Sequence, residues 1–405
     1  MSKETNEKIT TRRQILGGAA AVGVAGLVAG RTVDAAQASG TACAVDPAQQ
    51  MSVLKNAKYE TVPLRQDTIS IAAIQSRTKS VDVRNLKASM RENLDHVLGL
   101  IDSAQGYNEA WGEGRKWGGK QDLICMHEFP LQGFQPWNRK ELNRVAIELP
   151  GPEVEAIGAR AKKYGCYIGF GCYAKEKDWP DHVINMSVII GPDGNVISKQ
   201  WKCRNELGLE EAFGGRMGLL SSTVYDVLDR YVEMYGWDAV LPVVRTDIGN
   251  ISMTSATNEP LLDAALALKG AEILILSVTG GSNRVHAASS ARSNRIYTVG
   301  VCNSVTFDNI GFTESAGGTD GGTVICDPRG ATIAKTTTHH EDIAMAHVSM
   351  AQFRKTRRTK ELPMEMFLPI FQQYEPAFKK NAFLEYLPKD LQDSGEFVYK
   401  RRGWE

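Results

Sequence analysis

Net charge is the first thing this 405-residue chain lacks: 47 Lys and Arg stand against 47 Asp and Glu. With no basic excess there is no electrostatic footprint for a polyanion, so a nucleic-acid partner is not expected. Paired cysteines are missing too. Cys43, Cys125, Cys166, Cys172, Cys203, Cys302 and Cys326 form no CxxC and no metal spacing. Their odd number and scatter do not suggest a disulfide framework. Six fall in or beside apolar strand-like runs, where a thiol is usually a small core residue. GxxxxGK[ST], a GxGxxG after a strand and HExxH are all absent, so no nucleotide, metal or other cofactor is implied. His339-His340-Glu341-Asp342 follows a Thr run and reads as a loop rather than a metal site. None of the seven histidines sits in a context that would complete a Ser–His–Asp triad. There is no internal repeat, no low-complexity block and no apolar run long enough for a stable membrane span.

What is present begins with Thr11-Arg12-Arg13-Gln14-Ile15-Leu16, a short Gly/Ala-rich apolar stretch, and Ala36-Gln37-Ala38. A charged segment, an apolar segment and a small-residue site in that order read as a signal peptide over 1–38. The adjacent arginines resemble a twin-arginine export signal, which implies a periplasmic or extracellular protein. Residues 39–66 read as a linker.

Strands are expected at 68–75, 122–126, 167–173, 183–191, 196–202, 248–253, 271–278, 298–303, 322–326, 331–335 and 343–348. Helices are expected at 86–103, 152–164, 222–235, 260–268 and 286–294. Pro260 suits a first helical turn and Gly270 follows the last. Asp327-Pro328-Arg329-Gly330 and Pro192-Asp193-Gly194-Asn195 mark hairpin turns. Strand–helix–strand order with interleaved hairpins predicts an α/β sandwich of mixed sheets over 67–350. From about 352 the chain turns aromatic and basic, and no further core is expected. Residues 351–405 read as a C-terminal extension that wraps a partner subunit of a homo-oligomer or lies as a solvated arm.

Three strand ends carry chemistry. Glu128 follows an apolar strand and is ringed by apolar residues, a setting for a general base. Lys202 ends Ile197-Ser198-Lys199-Gln200-Trp201-Lys202. The run from Ile248 enters a strand–turn–helix unit, a common mount for a nucleophile. Its turn reads Thr254-Ser255-Ala256-Thr257-Asn258-Glu259.

In that order, Ile124-Cys125-Met126-His127-Glu128, Gln200-Trp201-Lys202 and Leu268-Lys269-Gly270-Ala271-Glu272-Ile273-Leu274 resemble the nitrilase superfamily of carbon–nitrogen hydrolases. The aliphatic-amidase and carbamoylase-like branches are the nearest. The late hairpin around 327–330 fits as well. The resemblance implies an α-β-β-α sandwich of two mixed sheets and a hydrolase of small amides. It implies Glu128 as base, Lys202 for the oxyanion, and Glu210 as a second acid/base. It also implies a cysteine at the turn, and none exists between Cys203 and Cys302. Counting back from Pro260 puts Thr254 at the nucleophile's place; counting forward from Gly249 favours Ser255 or Ala256. Cys203 is next to Lys202, but adjacent strand residues face opposite ways.

A hydroxyl is a far weaker acid than a thiol and needs a stronger base or a relay. Two readings of the pocket follow: a hydrolase with a hydroxyl nucleophile, or a non-hydrolytic relative that binds a small amide or carboxylate. A third has the protein serve only as an assembly subunit.

Overall fold

The structure, a computed structural model, describes residues 51–106, 120–205, 219–256, 258–279, 284–306 and 322–404. The signal segment, Cys43 and Glu210 lie outside the described residues.

The chain opens with β1 (Thr68–Gln75), α1 (Leu86–Ala104), β2 (Leu123–Met126), α2 (Arg139–Val145) and β3 (Ile147–Glu148). Next come α3 (Pro152–Tyr164), β4 (Tyr167–Lys175), β5 (Ile184–Ile190), β6 (Val196–Trp201) and α4 (Leu228–Tyr235). After these come β7 (Val244–Thr246), β8 (Gly249–Thr254), α5 (Pro260–Leu268), β9 (Ile273–Ser277), α6 (Arg284–Asn294) and β10 (Tyr297–Val301), of which β8 and α5 form the strand–turn–helix elbow. Then follow β11 (Val324–Cys326), β12 (Thr332–Lys335) and β13 (Asp342–Ser349). The tail carries α7 (Met350–Thr356), α8 (Met364–Gln373), α9 (Ala382–Glu385) and α10 (Leu391–Lys400).

Two mixed sheets form. One runs β13-β1-β2-β4-β5-β6 with β3 beside β4, and the other β12-β11-β10-β9-β8-β7. In the first, β1, β2 and β4 are parallel neighbours, while β13, β5 and β6 run antiparallel to theirs. In the second, β8, β9 and β10 are parallel.

Strand alternation sorts the core into layers. Ile69, Ile71, Ile251, Met253, Ile273, Ile275 and Val299 fill the space between the sheets. The opposite face of the first sheet packs Ile124, Ile168 and Val188 against Leu94, Val97 and Ile101 of α1 and Ile157 of α3. The second sheet packs Leu274 and Leu276 against Leu262 and Leu266 of α5 and Ala287 of α6. The result is the expected α-β-β-α sandwich. Each fully buried isoleucine contributes on the order of 2 kcal/mol of transfer free energy.

Local chemistry sets several boundaries. α3 starts at Pro152 and stops at Gly165, whose φ of 58° makes the left-handed cap. α2, which the apolar pattern misses, is announced by a capping box between Asn138 and Glu141. The helix expected over 222–235 starts later, at Leu228, after a 3-10 turn at Tyr225–Val227. Ser222 instead serves the sheet edge: its N–H donates to the Val183 carbonyl and its carbonyl accepts from the Asn185 N–H. The tail also departs from expectation. Phe353, Phe383 and Val398 are buried, the last two in the same cluster as Val227 and Tyr231. Among the described α-helices, only α8 stands without a buried residue.

Two glycines allow close approaches, one to side chains of the facing sheet and one to the Glu128 backbone. A Cβ on Gly169 would come within 3.1 Å of Met253 Sδ and 3.2 Å of Ile275, both on the facing sheet. On Gly171 it would lie 2.3 Å from the Glu128 carbonyl oxygen and 2.7 Å from its Cα. Gly171→Ala is therefore expected to displace the Glu128 backbone and cost about 2–3 kcal/mol. Gly99→Ala, in mid-α1 with nothing within 4 Å of its added Cβ, should add roughly 1 kcal/mol. Urea titrations of the two variants test the contrast; equal midpoints would remove the claim that Gly171 sets the position of Glu128.

Candidate active site

The ends of three strands and the start of a fourth converge. β2 runs out through His127 into Glu128, β6 into Lys202, and β8 into Ser255. β5 begins at the same level with Ile184 and Asn185. Because β5 and β6 are antiparallel, Asn185 and Lys202 sit side by side, and the Lys202 N–H donates to the Asn185 carbonyl at 2.8 Å.

The side chains then form one chain of contacts. Lys202 Nζ lies 3.3 Å from Glu128 Oε1. Asn185 Nδ2 donates to the same oxygen at 2.7 Å. Ser255 Oγ donates to Asn185 Oδ1 at 3.2 Å. Glu128, Asn185 and Ser255 are 5%, 3% and 3% exposed, so these contacts form largely out of water, where electrostatic interactions are strengthened. The ammonium and the amide donor both meet the carboxylate on Oε1. The nearby Tyr173 hydroxyl is held well above the usual phenol range by burial and by the Glu128 charge.

Of the residues predicted from sequence, Glu128, Lys202 and Ser255 are brought together. Thr254, level with Leu276 in the parallel pairing of β8 and β9, turns elsewhere: its Oγ1 accepts from the Ala256 N–H at 3.2 Å. Cys203 packs against the cluster of α5 and α6 rather than the Glu128 side, and burial pushes its thiol up to about 12. Asn185 was missed. The available signal was a lone amide between Ile184 and Met186 in an apolar strand, a residue type depleted from strands.

Two further contacts hold the site. Arg204, two residues beyond Lys202, pairs with Glu259 at the start of the elbow helix. His127, beneath Glu128, lies 2.7 Å from Ser76 Oγ and 3.2 Å from Thr78 Oγ1 through Nε2. The Phe129 N–H donates to its Nδ1, so the neutral ring carries its proton on Nε2. Among the described residues no cluster of side chains suits a metal ion.

A family model described as carbon-nitrogen hydrolase matches residues 70–358. The chain belongs to the carbon–nitrogen hydrolase family. Solved nitrilase-superfamily structures share its fold. One is a mutant amidase from Nesterenkonia sp. AN1 carrying the acetamide moiety of fluoroacetamide on its active-site cysteine. It is 13% identical, with a TM-score of 0.52, over 76% of this chain and 99% of that one. Another is Nit3 of Saccharomyces cerevisiae, 16% identical, with a TM-score of 0.51, over 78% of this chain and 99% of the other. At such identity the likeness speaks for the fold. Within that fold this member of the carbon–nitrogen hydrolase family presents a serine hydroxyl to the buried Glu–Asn–Lys group.

Burial pushes the His127 imidazole down to about 3, against about 6.5 when unfolded. Below pH 6.5 the unfolded chain therefore binds the extra proton, and stability falls with pH. Two units of that fall amount to about 2.7 kcal/mol. His127→Gln removes the titration, so the stability gap between it and the parent should shrink by about 2–3 kcal/mol between pH 7 and pH 4.5. Urea unfolding at both pH values reads this directly; a gap that does not change with pH would contradict it.

Proposed function

We propose that this protein is an exported hydrolase of small amides in which Ser255 takes the nucleophile's place. The observation that carries the reading is the buried contact chain Ser255–Asn185–Glu128–Lys202. Ser255 Oγ attacks the amide carbon and its proton passes to Glu128, whose Oε2 takes no contact among the described residues. The Lys202 ammonium stands where it can stabilise the tetrahedral oxyanion. The proton then goes to the departing nitrogen, ammonia or an amine leaves, and water cleaves the ester. Thr254 braces the turn. Glu210 is assigned as second acid/base from its place in the family pattern.

One observation favours a second reading. Asn185 stands between the serine and the carboxylate, and a carboxamide does not shuttle protons. A pocket so arranged suits a protein that holds an amide or carboxylate without cleaving it.

Export rests on the Arg12-Arg13 signal in the sequence. Self-association is supported by α8, where Met366, Ile370 and Phe371 are 67%, 66% and 46% exposed, an apolar stretch of the kind buried at interfaces. Ile370→Glu with Phe371→Glu should halve the sedimenting mass if α8 joins two copies; an unchanged mass would remove α8 from that role.

Ammonia release from short amides, carbamoyl compounds and nitriles tests the hydrolytic reading. Ser255→Ala and Glu128→Gln should each lower turnover at least 100-fold. Binding without turnover, followed by a gain of amidase activity in Ser255→Cys, would select the second reading.

A further inference from the structure

A cavity of about 450 Å³ lies at the seam between the tail and the body, within the usual range for small-ligand sites. None of Glu128, Asn185, Lys202 or Ser255 lines it. Its walls are Tyr225, Tyr374, Phe378, Val398 and Trp404, with Asn205 and Asp226 as polar groups on the body side. The walls are tied together. Tyr225 Oη donates to the Phe378 carbonyl at 3.1 Å, the Gly403 N–H to the Ala377 carbonyl at 2.7 Å, and Trp404 Nε1 to the Glu375 carbonyl at 3.0 Å. Tyr374 and Trp404 meet edge to face with centroids 5.9 Å apart.

The polar groups here are acceptors with capacity to spare. Asn205 is 7% exposed, and its Oδ1 is buried with no hydrogen-bond partner among the described residues. A buried acceptor left unmade costs about 1–3 kcal/mol, so a ligand that donates to it recovers that loss. Asp226 takes the Thr223 N–H and hydroxyl on Oδ2, at 2.9 and 2.6 Å, which leaves Oδ1. Four cations line the cavity: Arg204, paired with Glu259, Arg401, paired with Glu385, and Lys379 and Arg402. The pattern is an apolar, aromatic box with N–H acceptors at one end and cationic side chains on the rim.

We propose that this cavity is a second ligand site, for a neutral molecule with a carboxamide or urea head and a flat apolar body. The head donates its N–H groups to Asn205 Oδ1 and Asp226 Oδ1, and the body lies against Tyr225, Phe378 and Trp404. A carboxylate cannot donate to Asn205 and meets the Asp226 charge. An ammonium meets the rim arginines. The site does not depend on Ser255 chemistry, so it stands or falls apart from the hydrolytic reading.

The test uses the full chain carrying Ser255→Ala, so that no probe is consumed, with benzamide, benzoate and benzylamine titrated by calorimetry and ligand-observed NMR. Benzamide should bind saturably with a Kd at or below about 1 mM, and the other two at least tenfold more weakly. Asn205→Leu should weaken benzamide about tenfold. Trp404→Ala, at a 48% exposed position, should weaken it several-fold and keeps the test open if Asn205→Leu does not fold. No saturable benzamide binding, a preference for benzoate or benzylamine, or benzamide binding that both variants leave unchanged would each overturn the proposal.

Discussion

Asn185 is the residue on which the site's geometry depends. Its backbone carbonyl fixes the Lys202 N–H, its side-chain amide donates to Glu128, and its side-chain oxygen receives the Ser255 hydroxyl. Three segments far apart in sequence thus share one buried side chain. A carboxamide fills this post because it donates at one end and accepts at the other, so it can face a carboxylate and a hydroxyl together. The position is supported from below, since the Asn185 N–H is itself held by the Ser222 carbonyl. The Val224 and Tyr225 N–H groups are likewise taken by the Lys202 and Cys203 carbonyls, and the helix begins at Leu228.

Much of the architecture was legible because it follows from period and punctuation. β1, β4, β5 and β13 read as apolar or alternating runs, and Pro152, Gly165, Pro260 and Gly270 mark their helices through fixed φ or left-handed caps. Glu128 and Lys202 could be picked out because each ends such a run. What escaped was what only the third dimension decides. Asn185 has no motif of its own; its role comes from the antiparallel pairing that puts it beside Lys202. The choice between Thr254 and Ser255 is a matter of which side of β8 faces the other sheet, and counting from either end of the turn could not settle it. In the tail, Phe383 and Val398 find a core made mainly by residues far earlier in the chain, so local composition alone suggested an arm.

The exchange of thiol for hydroxyl changes what the same scaffold must supply. Glu128 can draw a proton from a thiol with modest help, whereas a serine needs the carboxylate in direct reach or a water between them. In the structure the serine proton points at Asn185 instead. Productive attack therefore requires the Ser255 hydroxyl to turn away from the amide once a ligand is in place. The Arg204–Glu259 pair, which joins the Lys202 segment to the elbow, limits how far the turn as a whole can move to allow it.

Stability alone gives little reason for the arrangement at Glu128. A buried carboxylate–ammonium pair loses hydration that its own attraction only partly repays, and apolar side chains of similar volume are often no less stabilising. Here the pair also forces glycine at position 171, since any Cβ would strike the Glu128 backbone. A cavity-filling core would need neither. The thiol at Cys203 offers no alternative centre, because it is packed against the opposite helical layer and held protonated by burial. The charged pair, the bridging amide and the close-approach glycine make physical sense together as a site built to meet a polar ligand beside Ser255, and that holds whether the ligand is cleaved there or only held.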